Sequence, residues 1–151
     1  MTEALTFTFD LACSPQHAFE VWTSRIDTWW PRDHTVGEAD AVVLQSGVGG
    51  RIFERGPDGT EHVWGRITAW EPPSRLAYTW HIGRTADEAT DVEVRFTGDE
   101  GATRVEVEQT GWERFGDQAG PWRERNRIGW DSLLPHFRAA VGRDATLREE
   151  R

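Results

Sequence analysis

DVEVRFTGDEGATRVEVEQT, residues 91–110, alternates apolar with charged or polar side chains on both sides of a glycine-rich turn. This alternation is typical of β-strands with one buried face, and residues 5–11, LTFTFDL, alternate in the same way. If the two halves of 91–110 pair through the turn at 98–101, their apolar side chains share one face of a hairpin. That face consists of Val92, Val94, Phe96, Val105 and Val107. The hairpin therefore predicts an antiparallel sheet whose apolar side needs a cover.

Further β-rich runs fill residues 41–82 and are separated by turns rich in glycine, proline and aspartate. Together with the hairpin they predict an antiparallel meander. The two-residue alternation slips between Ile67 and Trp70, which predicts a β-bulge there. Adjacent strand residues face opposite ways, so the choice of inward-facing residue between Ile52 and Phe53 stays open.

Two helical patterns provide the cover for the sheet. Ser14 caps and Pro15 begins a helical stretch that Pro31 ends, which predicts two short helices after the first strand. A longer helix is predicted over about 121–141, because its large apolar residues lie on one helical stripe. That stripe consists of Trp122, Trp130, Leu133, Phe137 and Val141. The predicted fold class is α+β.

Length and composition limit the kinds of protein this chain represents. Its 151 residues suit a single domain over 1–143, with a polar C-terminal tail at 144–151. A formal charge of -9 argues against nucleic acid and anionic membrane surfaces as partners. Cys13 is the one cysteine, so no intrachain disulfide forms, and no signal segment precedes the first strand. We expect a cytoplasmic protein, and the sequence leaves monomer and homodimer open.

Several segments resemble a known family in their order along the chain. They are TWW at 28–30, VGGRIFERGPDGTEHVWG at 48–65, AWEPPSRLAYTW at 69–80, the strands VEVRF and GATRVEVEQTGW, and GWDSLL at 129–134. With these segments the sequence resembles the activator-of-heat-shock-ATPase-like branch of the START/polyketide-cyclase (SRPBCC) superfamily. The resemblance implies the helix-grip fold of the birch-pollen allergen, in which a curved antiparallel sheet wraps the last helix. It also implies a cavity for an apolar ligand between sheet and helix.

The chain has nine tryptophans, and two of them, Trp29 and Trp30, are adjacent. The question is whether these two rings pack in the core or line a cavity. Neighbours on a helix diverge by about 100°, so the two rings point apart, and Pro31 turns the chain directly afterwards. We therefore expect Trp30 to line one end of a cavity and Trp29 to pack as structural core.

The resemblance brings the strands and the final helix to the same interior. The expected ligand-binding residues are Trp30, His34, Phe53, Trp64, Tyr78, Trp80, Trp130, Leu134 and Phe137. A simple core is the alternative for any single ring. Buried indole N–H groups need partners, however, so this number of tryptophans favours an amphipathic lining for an aromatic or heterocyclic molecule.

Catalytic and metal-binding patterns are sparse. The histidines at 17, 34, 62, 81 and 136 have no spacing that places two ligands on one face, so we expect no metal and no cofactor. No Gly-x-Ser-x-Gly motif or nucleotide-binding glycine loop is present. An enzyme would need a cavity-facing acid or base, for which the candidates are His34, Glu54, Tyr78 and Asp131. Glu54 and Asp131 are included because their sequence neighbours are predicted to be buried.

Three hypotheses of function follow. The first is a module that binds a small hydrophobic or aromatic molecule between the sheet and the C-terminal helix. The second is a cyclase, dehydratase or hydrolase that acts on such a ligand. The third, implied by the family resemblance, is a co-chaperone; eukaryotic members of that type carry an additional N-terminal domain, whereas this chain begins on the first strand.

Overall fold

The computed structural model describes residues 3–149, with side chains described to residue 143. The strands are β1 (Leu5–Leu11), β2 (Ala41–Leu44), β3 (Arg51–Arg55), β4 (Glu61–Glu71), β5 (Arg75–Trp80), β6 (Thr90–Gly98) and β7 (Thr103–Thr110). The α-helices are α1 (Pro15–Trp22) and α2 (Ala119–Glu149). Short 3-10 helices span Ile26–Thr28, Arg32–His34, Ala86–Glu88 and Trp112–Gln118.

Within the described residues the seven strands form one antiparallel sheet in the order β1-β7-β6-β5-β4-β3-β2. The sheet curves around α2, with α1 packed against the same helix, so the predicted α+β helix-grip fold is confirmed. Among the described helices, none combines the length and the apolarity needed to span a lipid bilayer.

The β6–β7 hairpin has the predicted register. Val94 pairs with Val107 and Phe96 pairs with Val105, and all four side chains are buried. Charged residues occupy the opposite face, where Glu93 accepts a hydrogen bond from Arg75 at 2.5 Å. One face of the sheet therefore packs on the helices, as the alternation in the sequence predicts.

The strand β4 changes register twice. Its pairing with β5 shifts between Ile67 and Ala69, which confirms the predicted bulge. Its pairing with β3 shifts at Ile52 and Phe53, the second place where the alternation was ambiguous. A bulge bends its strand and increases the local twist, so these shifts help the sheet to wrap around α2.

The helices differ in length from the predicted segments. α1 begins as predicted, with the Ser14 hydroxyl accepting a hydrogen bond from His17 N at 3.1 Å, and ends at Trp22. The 3-10 turn Ile26–Thr28 then carries the chain to the Trp29–Trp30 pair. The backbone of α2 runs from Ala119 to Glu149, longer than 121–141. The polar tail at 144–151 stays a prediction, because its side chains and its last two residues lie outside the described part.

Candidate functional site

A cavity of about 560 Å³ lies between the first half of α2, the loop after β5 and the segment that follows Trp30. Its volume falls within the range of roughly 300–1,000 Å³ that is usual for small-molecule sites. Three elements that are distant in sequence therefore meet around one space.

The wall from α2 is a single helical face. Its residues are Trp122, Arg125, Asn126, Gly129, Trp130 and Leu133. Their spacing of three or four residues places them above one another on the helix. Gly129 lies in the middle of this face, and a Cβ added there would meet no atom within 4 Å. The missing side chain therefore leaves open space beside the helix at Gly129.

A buried polar network fixes the Trp130 ring. Gln109, on β7, is almost fully buried, and its side-chain oxygen accepts a hydrogen bond from Trp130 Nε1 at 2.7 Å. Its Nε2 donates to Thr90 Oγ1 at 2.8 Å and to Asn126 Oδ1 at 3.3 Å. Asn126 Nδ2 in turn donates to the Trp122 carbonyl oxygen at 2.9 Å. Because every buried group in the network has a partner, it holds α2 in a defined position against the sheet.

The second wall is built on Trp30. Its ring lies 4.9 Å from Trp64 and 5.7 Å from Trp80 between centroids, and its Nε1 donates to the His34 carbonyl oxygen at 2.9 Å. Trp29 packs against Trp30, with ring centroids 5.7 Å apart, so the expectation that the two rings point apart is wrong. Trp29 does not line the cavity, and its Nε1 donates to the Val21 carbonyl oxygen at 2.8 Å. The two adjacent indoles thus have different surroundings.

His34 contributes the one imidazole of the cavity wall. Its Nδ1 lies 2.8 Å from Asp33 Oδ1. An ionised carboxylate only accepts hydrogen bonds, so this contact places the imidazole proton on Nδ1 and the lone pair on Nε2. The same hydrogen bond lowers the pKa of Asp33 below its ordinary value. His34 is therefore arranged to accept a proton at Nε2.

The third wall is the loop between β5 and β6. The Thr85 backbone and side chain form a capping box with Glu88, which fixes the short 3-10 helix in this loop. Glu88 also accepts a hydrogen bond from Arg84 Nη1 at 2.6 Å. The Arg84 guanidinium lies 3.8 Å from the centroid of the Trp122 ring on α2. The loop is thereby fastened to the helix across the cavity rim.

Four of the nine expected ligand-binding residues line this cavity: Trp30, His34, Trp80 and Trp130. Trp64 is fully buried behind Trp30 and Trp80, with its Nε1 2.9 Å from Glu54 Oε1. Trp64 therefore supports the wall and does not form it.

The other four expected residues lie elsewhere. Phe137 is enclosed between Trp22 and Trp29, with centroids 4.8 Å and 5.3 Å away. Tyr78 and Leu134 are buried in the core and do not line the cavity. Phe53 lies on the opposite face of β3 from the core residue Ile52, as strand alternation requires, and the guanidinium groups of Arg51 and Arg55 lie 4.3 Å and 5.3 Å from its ring.

Of the four proposed acid–base candidates, His34 alone lines this cavity. Glu54 is buried, and its carboxylate already accepts three hydrogen bonds. The donors are the backbone N–H groups of Val36 and Gly37, at 2.6 and 2.9 Å, and the Trp64 indole. The expectation of buried surroundings is wrong for Asp131, whose side chain is 57% exposed and pairs with Arg127 at 2.7 Å. Among the described residues, no group of three or more His, Cys, Asp or Glu side chains is arranged to hold a metal ion.

Sequence reasoning missed Trp122, Arg84 and Arg125 as cavity residues. The sequence pattern placed Trp122 on the apolar stripe of the helix but not among the ligand-binding residues. Its spacing of eight residues from Trp130 and four from Asn126 carries the signal that both share its face. For Arg84 no such signal exists, because its position depends on the loop after β5.

A curved antiparallel sheet that grips a long C-terminal helix, with a cavity between them, defines the helix-grip class. Within this class, the chain belongs to the Activator of Hsp90 ATPase homolog 1-like protein family, which matches residues 12–142. No curated protein sequence matches the chain.

Similar solved structures include two of stated function. An anthrahydroquino-γ-pyrone synthase, Txn09, complexed with SUM, is 36% identical with a TM-score of 0.65, over 92% of this chain and 97% of that chain. CalC from Micromonospora echinospora, a self-sacrificing resistance protein, is 25% identical with a TM-score of 0.69, over 93% and 95%. Protein MLL2253 from Mesorhizobium loti, at 18% identity, a TM-score of 0.68 and coverage of 93% and 98%, shares the fold alone.

Proposed function

We propose that this protein binds a planar molecule of fused aromatic rings in the cavity between the sheet and α2. The observation that carries the proposal is the convergence of four tryptophan rings, from three separate parts of the chain, on one space. They are Trp30, Trp80, Trp122 and Trp130. Family membership and the similar structures support small-molecule binding or cyclase-type activity as the general class.

The hydrogen bonding of the indoles favours recognition through ring faces. The N–H groups of Trp30 and Trp130 are already satisfied, by the His34 carbonyl and by Gln109 respectively. A ligand therefore need not supply acceptors to them, and these walls offer mainly flat π surfaces. Offset or edge-to-face contacts between such surfaces and an aromatic ligand contribute about 0.5–1.5 kcal/mol per pair beyond the buried area.

Filling the cavity from Gly129 tests this proposal. Gly129→Phe would place a ring in the cavity without removing any native side chain, and replacing a helical glycine does not in itself weaken the helix. We expect the affinity for anthraquinone-2-carboxamide, measured by quenching of tryptophan fluorescence, to fall at least about tenfold, or about 1.4 kcal/mol.

The matched control is Gly142→Phe. Gly142 also lies on α2 with no atom within 4 Å of an added Cβ, but it is exposed and outside the cavity. Wild-type affinity in this variant, with loss in Gly129→Phe and unchanged circular dichroism in both, supports the proposed site. Equal affinities in all three proteins would place the ligand elsewhere, and absence of binding by the wild type would overturn the function.

A second candidate function is ring closure on such a ligand, favoured by the 36% identity to the pyrone synthase and by the His34 imidazole in the wall. In a pyrone-forming step, an aromatic hydroxyl oxygen adds to a carbonyl carbon of the same molecule, and His34 Nε2 would take the hydroxyl proton and pass it to the former carbonyl oxygen to give the hemiketal. Water then forms from that hemiketal hydroxyl group and a proton of the neighbouring carbon, as the C–O bond breaks and the ring double bond forms; His34 Nε2 would carry this proton as well.

An o-hydroxyaryl 1,3-diketone, which closes to a chromone with loss of water, tests this second function. We expect the protein to accelerate closure and His34→Gln to slow the catalysed rate by roughly 10²-fold, the usual contribution of a general base, with little change in binding. Asp33→Asn should reduce the rate less, because its side chain is 83% exposed. Equal rates in the wild type and His34→Gln would remove His34 from the chemistry, and no acceleration by the wild type would leave binding as the function.

A further inference from the structure

Two arginines share one tryptophan ring at the cavity rim. The Arg84 guanidinium carbon lies 3.8 Å from the centroid of the Trp122 ring, and that of Arg125 lies 5.3 Å from it. Both arginines and the ring line the cavity. Contact with an aromatic face orients a guanidinium group and leaves its N–H donors at the edge of the ring.

The two arginines differ in their pairing. Arg84 is held by Glu88, at 2.6 Å, and hydrogen bonds from the Thr85 backbone and Arg84 keep the pKa of Glu88 below its ordinary value. Within the described part of the chain, the Arg125 side chain forms no ion pair and no hydrogen bond. Its guanidinium group contacts the Trp122 ring. Arg125 is therefore the uncompensated cation of the cavity.

The charge of the lining differs in sign from that of the protein. Two arginines and one glutamate give the lining a formal charge of +1, whereas the whole chain has a formal charge of -9, with histidine left out of both counts. A local positive potential in an acidic protein attracts anions to that place and away from the rest of the surface.

We propose that Arg125 binds a carboxylate on the aromatic ligand, so that the site selects aromatic carboxylic acids over neutral aromatics. This inference rests on the proposed binding function and adds the chemical class of the ligand. The guanidinium fork matches the two oxygens of a carboxylate, and the Trp130 ring in the same wall offers an aromatic contact for the ring system attached to that group.

Matched probes test the inference. The wild type should bind anthraquinone-2-carboxylate about fivefold more tightly than anthraquinone-2-carboxamide, the upper range for a solvent-exposed ion pair. The preference should shrink at high salt, because salt screens exposed charges. Arg125→Gln should remove the preference, because the affinity for the acid should fall more than the affinity for the amide.

Arg138→Gln is the control variant. Arg138 is also exposed on α2 and lies 5.2 Å from an aromatic ring, that of Phe9, but it is outside the cavity. It should keep the full preference for the acid. A preference that survives in Arg125→Gln, or equal binding of both probes by the wild type, overturns the inference while the binding function stands. Failure of both probes to bind the wild type overturns both.

Discussion

Tyr78 is the one tyrosine of the chain, and its ring is buried 5.7 Å from the Trp80 centroid. Burial raises the pKa of Tyr78 above its ordinary value, because a phenolate would lose its hydration there. The composition of the chain makes the ionisation of this phenol easy to follow. All 17 basic side chains other than histidine are arginine, so no lysine titrates in the alkaline range.

The raised pKa predicts a loss of stability at alkaline pH. Below about pH 10 the phenol is protonated in the folded and unfolded states, so it has no effect on folding. Above about pH 10 the unfolded chain loses this proton and the folded chain keeps it, so the free energy of unfolding falls by about 1.4 kcal/mol per pH unit. Urea unfolding at increasing pH, with phenolate absorbance followed in parallel, should show ionisation together with unfolding.

This measurement has to be made in variants that lack Cys13. Burial also raises the pKa of its thiol, so its ionisation destabilises the fold in the same direction. We therefore compare Cys13→Ala with Cys13→Ala/Tyr78→Phe, and expect the steep alkaline loss in the first protein alone. Phenolate absorbance that appears near pH 10, while the protein is still folded, would contradict the burial of Tyr78.

At the same scale, Trp30 lines the cavity as expected, but the reason given for it is wrong. The expectation assumed that both indoles lie on a helix and diverge, whereas the 3-10 turn ends at Thr28 and the two ring centroids are 5.7 Å apart. Phe53 could not be placed, because it and its neighbour Ile52 are both apolar and alternation alone does not tell which of them faces the core. Tyr78 and Phe137 could not be distinguished from cavity walls, since core and cavity residues share the same apolar pattern.

At the scale of elements, β4 shows which strand features are visible in a sequence. The bulge near Ile67 disrupts the alternation of β4 itself, so the sequence reveals it. The close approach at Gly65 is not visible in the same way. A Cβ at that position would stand 1.8 Å from the Thr79 carbonyl oxygen of β5, so glycine is required by the neighbouring strand.

In the helical stretch before Pro31, the sequence pattern predicts more helix than the structure contains. Its apolar spacing runs through to Trp30, but α1 ends at Trp22. Thr23 stops the helix: its hydroxyl donates to the Phe19 carbonyl oxygen at 2.8 Å, and Ser24 Oγ donates to the Glu20 carbonyl oxygen at 3.1 Å. Hydroxyl side chains that bind nearby backbone groups compete with helical hydrogen bonds. The spacing of apolar residues does not reveal this competition.

At the scale of the whole molecule, the order of elements and the presence of a cavity were predictable, and the full set of residues that line the cavity was not. Each strand and helix carries its own periodicity, which predicts the α+β class, and the family resemblance implies the helix-grip arrangement. The cavity is formed by side chains from three distant parts of the chain. Its volume depends on where the loop after β5 meets α2, through Arg84 and Trp122. Such a contact has no counterpart in local sequence.

The charge of the whole molecule gives the last prediction. A net charge of -9 repels polyanions, and many arginines are already paired with carboxylates, as Arg51 and Arg55 are with Glu61 at 3.0 and 3.1 Å. The cavity lining has a net charge of only +1, which is too small to act as a clustered basic surface for a polyanion. We therefore expect no retention on heparin at about 0.1 M salt, where charges interact over about 10 Å.

Anion exchange is the positive control for this prediction, because the same net charge should retain the protein on a cationic resin. Retention on heparin that weakens steeply as salt rises would contradict the prediction, since it would require several arginines to act together on a polyanion. If such retention disappeared in Arg125→Gln but not in Arg138→Gln, the cavity rim would be the polyanion-binding surface. Its positive charge would then extend beyond the one group proposed here to recognise a carboxylate.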